Sequence, residues 1–261
     1  MTNIIFGLYN GYNSLKTHKG GLYYFMKSLR KYNAQCKVIV VCEKQNVFDE
    51  LKEFSKTMNF IIYNDFETTD SPMMYYRFNV YKKYLDESDE DFEQILLSDL
   101  DDVIFQEDPF DISFKEELYC AMEHNILSDT YNWAPRLNME WIRACNHLHI
   151  NYANFDNKHI VCAGTILGTS NGIKKYLDFF IEAQRKEIIN DQGLLNIYVY
   201  NYLESKAMID VRKSKILTLE GLYFENLNIE SNSILNDDGE KYSIIHQINR
   251  CNQSFMLDLC N

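Results

Sequence analysis

Ile95-Leu96-Leu97-Ser98-Asp99-Leu100-Asp101-Asp102-Val103-Ile104-Phe105 decides how this chain is read. A short apolar run ends in three carboxylates, at Asp99, Asp101 and Asp102, and apolar chain then resumes. A continuous apolar run of this length reads as a strand buried on both faces, the pattern of parallel sheets. In open α/β sheets, ligands bind just beyond the carboxyl ends of such strands. Clustered carboxylates repel one another and resist desolvation, so the turn is either solvated or holds a cation. Spacing alone fits both; the place after a buried strand favours the cation. Oxygen donors suit Mg²⁺ or Mn²⁺.

Working outward, the segments before this turn alternate in kind. Asn3–Tyr9 reads as a strand, and Gly20–Tyr32 as a helix with Leu22, Phe25, Met26 and Leu29 on one face. Lys37–Cys42 is a β-branched buried strand, Val47–Met58 a helix and Phe60–Tyr63 a strand. Ser71-Pro72 has the form of a helix start, a hydroxyl cap before proline, for a helix running to about Leu85. Gln94–Ser98 is then the fourth strand. Strand–helix alternation of this kind predicts an α/β fold with a mostly parallel, doubly wound central sheet flanked by helices. Beyond the turn, strands are expected near Leu118–Met122 and Cys162–Gly168, separated by a loop-rich stretch to about His159. Helices are expected at Gly172–Lys186 and Asp191–Leu203, and short strands at Lys215–Leu219 and Ser243–Ile245.

Composition bounds the function. A chain of 261 residues suits one large domain, with no linker-like tract to divide it. The formal net charge of −12, with no basic stripe, argues against nucleic acid as a partner. An acidic protein binds an anionic small molecule readily only where a cation neutralises the site. The seven cysteines are odd in number and lack zinc or redox spacing, so a reducing compartment is expected. No stretch has the length of a membrane-spanning helix, and Met1–Phe6 reads as a strand rather than a leader. A soluble, cytoplasmic catalytic module is the expectation.

Two enzyme families place aspartates after a buried strand. Asp99-Leu100-Asp101-Asp102-Val103 matches the nucleophile motif of haloacid-dehalogenase-like phosphatases locally. That motif belongs on a first strand, however, and here three strand–helix units precede it. The order of motifs instead resembles the GT-A glycosyltransferases, which use a metal-binding Asp-x-Asp and a nucleotide-diphosphate sugar. The matching pieces are Tyr76-Arg77-Phe78, Ser98–Phe110, Val161-Cys162-Ala163-Gly164-Thr165, Asp191-Gln192-Gly193 and Ile245-His246-Gln247. They span most of the chain in the family's order. The resemblance implies a single GT-A domain over residues 1–261, with a nucleotide-binding half at 1–110 and an acceptor and sugar half at 111–261. It implies a donor such as a uridine diphosphate sugar, a glycan or small-molecule acceptor, and retention at the anomeric carbon. A non-catalytic sugar-nucleotide-binding protein is the other alternative beside the phosphatase.

By that resemblance the metal ligands come from Asp99, Asp101, Asp102 and His246, and which two aspartates pair is open. An imidazole among oxygen donors favours Mn²⁺ over Mg²⁺. His246 equally fits a core histidine satisfied by backbone. Arg77, on an apolar helix face, is a clamp on the diphosphate or a buttress for Asp99, with a structural ion pair as the plainer role. Tyr9, Asn10 and Tyr12 follow the first strand, where related folds hold the base against an aromatic ring. Gly164 and Thr165 would line the sugar pocket. Asp191 and Gln192 are the catalytic candidates, although Asp191 also suits a helix start through the dipole alone. Trp133 and Trp141 are possible sugar platforms that fit a core equally well.

Overall fold

The computed structural model describes residues 2–11, 21–42, 44–64, 73–184, 190–203, 206–207, 212–220 and 226–250. The first half alternates as its periodicity predicts: β1 (Thr2–Leu8), α1 (Leu22–Tyr32), β2 (Lys37–Val41), α2 (Gln45–Met58), β3 (Ile61–Tyr63), α3 (Met73–Glu87) and β4 (Phe92–Ser98). The helix start expected at Ser71-Pro72 lies outside the described residues. After β4 come β5 (Val103–Phe105), β6 (Leu118–Ile126), α4 (Trp133–Ala144), β7 (His159–Thr169), α5 (Ser170–Gln184) and α6 (Asp191–Ile197). The later strands are short: β8 (Lys206–Ala207), β9 (Ile216–Thr218), β10 (Asn228–Glu230), β11 (Ser233–Leu235) and β12 (Ile244–His246).

The central sheet has the order β3-β2-β1-β4-β7-β6-β8. The first four strands are parallel, with Ile4, Ile5 and Phe6 of β1 opposite Ile95, Leu96 and Leu97 of β4. One strand beyond them runs the other way: β7 is antiparallel to both β4 and β6. The sheet is therefore mixed, with a parallel block carrying the carboxylates and an antiparallel strand beside it.

Alternate side chains of these strands leave on opposite faces, and helices bury both. Ile4, Phe6, Ile39, Ile95 and Leu97 pack under Phe78, Tyr81 and Leu85 of α3 and Tyr176 and Phe180 of α5. Ile5, Val38, Val40 and Leu96 pack under Leu22, Phe25, Met26 and Leu29 of α1, the face expected from its periodicity. Double coverage explains why these strands read as unbroken apolar runs.

The second half departs from expectation where propensity is weak. The stretch before His159 contains α4, opened by Trp133-Ala134-Pro135. Proline there falls in the first turn, where its missing N–H has no intrahelical acceptor to lose. The helix expected over Asp191–Leu203 is α-helical only to Ile197 and continues as a π-helical turn, Tyr198–Tyr202. A second small sheet, β5-β12-β9, joins the chain leaving the aspartate turn to the late strand. The β10–β11 hairpin packs against it through Ile234.

Candidate active site

Strand register assembles the site. Ser98, the last residue of β4, lies opposite Thr165 of β7, and the Asp99 N–H donates to the Gly164 carbonyl at 2.8 Å. The chain then turns through Asp102 into β5, where Val103 lies opposite His246 of β12. His246 thus arrives beside Asp102 although 144 residues separate them in sequence. Gln247 follows with φ +64°, a left-handed conformation costing a non-glycine residue about 1–2 kcal/mol. That turn returns the Ile248 N–H to the Asp102 carbonyl at 3.0 Å.

The carboxylates and the imidazole converge. His246 Nε2 lies 3.5 Å from Asp99 Oδ2 and 3.5 Å from Asp102 Oδ1. Among the described residues these three groups place one donor atom each within 4.8 Å of one another. Asp101 stands outside this set: its carbonyl accepts from the Gly21 N–H, and its charge acts on Tyr9. The two carboxylates that approach His246 are those of Asp99 and Asp102. Gly164 makes room for this approach, since a Cβ there would meet His246 Nε2 at 2.3 Å and Asp99 Oδ2 at 2.9 Å. Two carboxylate oxygens and an imidazole nitrogen form a donor set that fits a divalent cation.

Arg77 ties two parts of the site together. Its Nη1 donates to Asp99 Oδ1 at 3.1 Å and its Nη2 to Asp191 Oδ2 at 2.9 Å. Burial works against Asp99's charge, but the hydrogen bond from His246 and the Arg77 guanidinium outweigh it and hold the carboxyl at about 2. Asp191 goes the other way: burial is the larger effect and raises it, despite Arg77. Burial alone would also neutralise His246, yet the Cys162 sulfur, Asp102 and Asp99 hold it well above its ordinary value.

Gln192 sits at the start of α6, whose cap is Asn190, its side chain accepting from the Gln192 and Gly193 N–H groups. Gly193 lets α6 approach α4, since a Cβ would meet Trp141 Cβ at 2.8 Å. The Gln192 Nε2 donates to Glu123 Oε1 at 3.1 Å and to Asn138 Oδ1 at 2.9 Å. Both amide hydrogens are thereby taken, so toward a ligand Gln192 offers an acceptor oxygen. Glu123 is only 2% exposed, and burial followed by the Glu220 charge raises its carboxyl to about 7.

A cavity of about 450 Å³ opens over these groups, lined among others by Asn10, Arg77, Asp99, Asp102, Gly164, Asp191, Gln192 and His246. Asp101 also reaches it. Several expected residues do not. Tyr9 is fully buried in the core beside Val47 and Phe25, so its ring is not a base platform. Thr165 is fully buried and off the cavity wall, which β7 reaches through Cys162, Ala163 and Gly164. Tyr12 lies outside the described residues. Trp133 is 64% exposed on α4 and Trp141 abuts Gly193; neither lines the cavity. Sequence reasoning passed over Glu123 and Asn138, although a glutamate inside the apolar strand Leu118–Ile126 is a signal, since such a group is seldom buried without a partner.

No protein-family model matches the chain, and no curated protein sequence does. Its architecture, a mixed α/β sheet flanked by helices, is consistent with the GT-A glycosyltransferase fold, and an Asp-Asp-His cluster lies at the sheet's carboxyl edge. Among solved structures, the apo form of the bifunctional glycosyltransferase WbbM superposes with a TM-score of 0.57 at 9% identity, covering 99% of this chain and 49% of that one. The glycosyltransferase GlyE of Streptococcus pneumoniae gives a TM-score of 0.49 at 13% identity, covering 99% of this chain and 62% of that one. The chain therefore spans about half to three-fifths of the length of these neighbours. At such identity the likeness is one of fold. No helix among the described residues is long and apolar enough to cross a membrane.

Proposed function

We propose that the chain is a metal-dependent glycosyltransferase that takes a sugar from a nucleotide diphosphate, with a uridine diphosphate sugar as the donor. The single observation that carries this reading is the Asp99–Asp102–His246 cluster at the mouth of a cavity that also holds the Arg77 guanidinium. In a protein of net charge −12, a divalent cation and one arginine supply the positive charge a diphosphate needs. The shared GT-A architecture supports the same reading.

In this account Asp99, Asp102 and His246 hold Mn²⁺, or Mg²⁺. When bound, that cation supplies Lewis-acid stabilisation of the diphosphate as it departs. The chain's own groups do the rest. Arg77 fixes Asp99 and Asp191 in one geometry. Asp191, pinned by Arg77 and buried, is suited to holding a sugar hydroxyl rather than to moving freely as a base. Gln192 presents an acceptor oxygen on the same wall, placed to orient the transferred sugar or stabilise positive charge at its anomeric carbon. Asn10 borders the nucleotide side, and Gly164 leaves space for the sugar. Retention at the anomeric carbon is part of the proposal, as is a single domain with its nucleotide half at 1–110 and its acceptor half at 111–261.

The test is a product assay across a panel of sugar nucleotides. The expected result is Mn²⁺-dependent release of uridine diphosphate from one sugar nucleotide, abolished by chelation and by Asp102→Asn. Release of phosphate from an aryl phosphate, with no nucleotide release, would replace this reading with the phosphatase one.

A further inference from the structure

The cation ligand His246 has a second nitrogen, and its neighbour is a sulfur. Nδ1 lies 3.3 Å from Cys162 Sγ, on the opposite side of the ring from the two carboxylates. Cys162 sits on β7 two residues before Gly164 and is buried. The Oγ1 of Thr218 lies 3.8 Å from the same sulfur and 3.2 Å from Gln247 Oε1. Thr218 is itself paired with His246 in the β9–β12 ladder. The imidazole is thus held between carboxylates at Nε2 and the Cys162 sulfur at Nδ1.

A histidine that binds a cation through Nε2 must carry its remaining proton on Nδ1. Such histidines give that proton to an outer partner, usually a carboxylate, a carbonyl or a water, which fixes both the tautomer and the ring's orientation. We propose that Cys162 is that partner here: a positioning residue whose sulfur accepts the Nδ1–H of His246 and keeps Nε2 turned toward Asp99 and Asp102 for a divalent cation. The role rests on the cation reading of those three residues. Sulfur suits it because a thiol both accepts and donates, so the ring keeps a partner at Nδ1 in either tautomer. A backbone carbonyl would accept only. Cys162 contacts His246 at Nδ1, the nitrogen turned away from the carboxylates, so its effect belongs in cation affinity.

The experiment titrates Mn²⁺ into the full chain without nucleotide, by calorimetry, for wild type, Cys162→Ala, Cys162→Ser and Asp102→Asn, recording each metal-free melting midpoint. Cys162→Ala is expected to weaken Mn²⁺ binding about tenfold or more, the usual consequence of removing such a partner. Cys162→Ser keeps an acceptor and is expected to recover part of that loss, while Asp102→Asn removes binding. In the wild type, Mn²⁺ is expected to slow alkylation of Cys162 by iodoacetamide, a readout that needs no variant to fold. A Cys162→Ala protein that binds Mn²⁺ as tightly as wild type overturns the role, even if its melting midpoint falls, since that is the signature of packing alone. Serine that recovers nothing, or alkylation indifferent to Mn²⁺, also contradicts it. A wild-type chain that binds no Mn²⁺ overturns the underlying cation site instead, and the unsubstituted protein alone reveals that outcome.

Discussion

At the scale of single residues, the site is a set of charges whose partners fix what each can do. Asp102 lies in the Asp99–Asp102–His246 cluster proposed to hold the cation and Asp101 does not, so Asp102→Asn should abolish Mn²⁺ binding while Asp101→Asn leaves most of it, as measured by titration. Equal losses would move the pair. His246 is held well above its ordinary value without a cation, so a proton must leave Nε2 before a cation binds there. Asp99, at about 2, stays ionised throughout and contributes no change. Mn²⁺ affinity should therefore rise from pH 6 to pH 8, by up to about tenfold per unit; an affinity that falls over this range contradicts the assignment. Glu123 makes a separate prediction. Its carboxyl is raised from 4.5 to about 7, so the folded state binds its proton more tightly than the unfolded chain does. The stability it contributes is present below pH 4.5 and is lost as pH rises through 7, on the order of 3 kcal/mol at most. Denaturant unfolding of Glu123→Gln should show the variant gaining on wild type between pH 5 and pH 8. A constant difference would mean that Glu123 is ordinary.

At the scale of elements, short strands and a short helix position the chemistry. The β5–β12 register brings His246 to Asp102, and the β4–β7 register brings Gly164 to Asp99. α6 is tied to β7 through Asn196, which accepts from the Val161 N–H at 2.9 Å and donates to the Val161 carbonyl at 3.0 Å. Asn196 is fully buried. Asn196→Leu strands both backbone groups and should cost about 2–4 kcal/mol in denaturant unfolding. It should also loosen Gln192, which shares the helix. A loss under about 1 kcal/mol would show that α6 is held by its apolar face alone. The long elements were legible because their burial is two-sided and periodic: Ile4 to Phe6, Val38 to Val41 and Ile95 to Leu97 announce a parallel block. β5 and β12 were harder. Three-residue strands carry too few side chains for periodicity, and β5 was not foreseen at all. α4 was missed because Asn132, Trp133 and Pro135 read as loop until Met139 and Ile142 find a core.

At the scale of the whole molecule, the sheet is parallel where the nucleotide is expected and antiparallel beside it, and the cluster lies where the two meet. Doubly wound order foretold the parallel block, but β7 reverses between β4 and β6, and nothing in its apolar pattern distinguishes a parallel from an antiparallel buried strand. The residue types of the Asp-Asp-His cluster were legible at the end of β4 and late in the chain. Its geometry was not, because choosing Asp102 over Asp101 depends on the β5–β12 register. Tyr9 shows the opposite failure: an aromatic after the first strand looked like a base platform, and the core claimed it.

If the cation and a nucleoside diphosphate share one site, as proposed, each must strengthen the other's binding by the same factor. Calorimetric titration of uridine diphosphate into the chain, with Mn²⁺ and with chelator, measures this directly. The expected result is binding with Mn²⁺ that weakens by at least about tenfold without it and disappears in Asp102→Asn. Binding of equal strength with and without Mn²⁺, or none under either condition, would contradict the account.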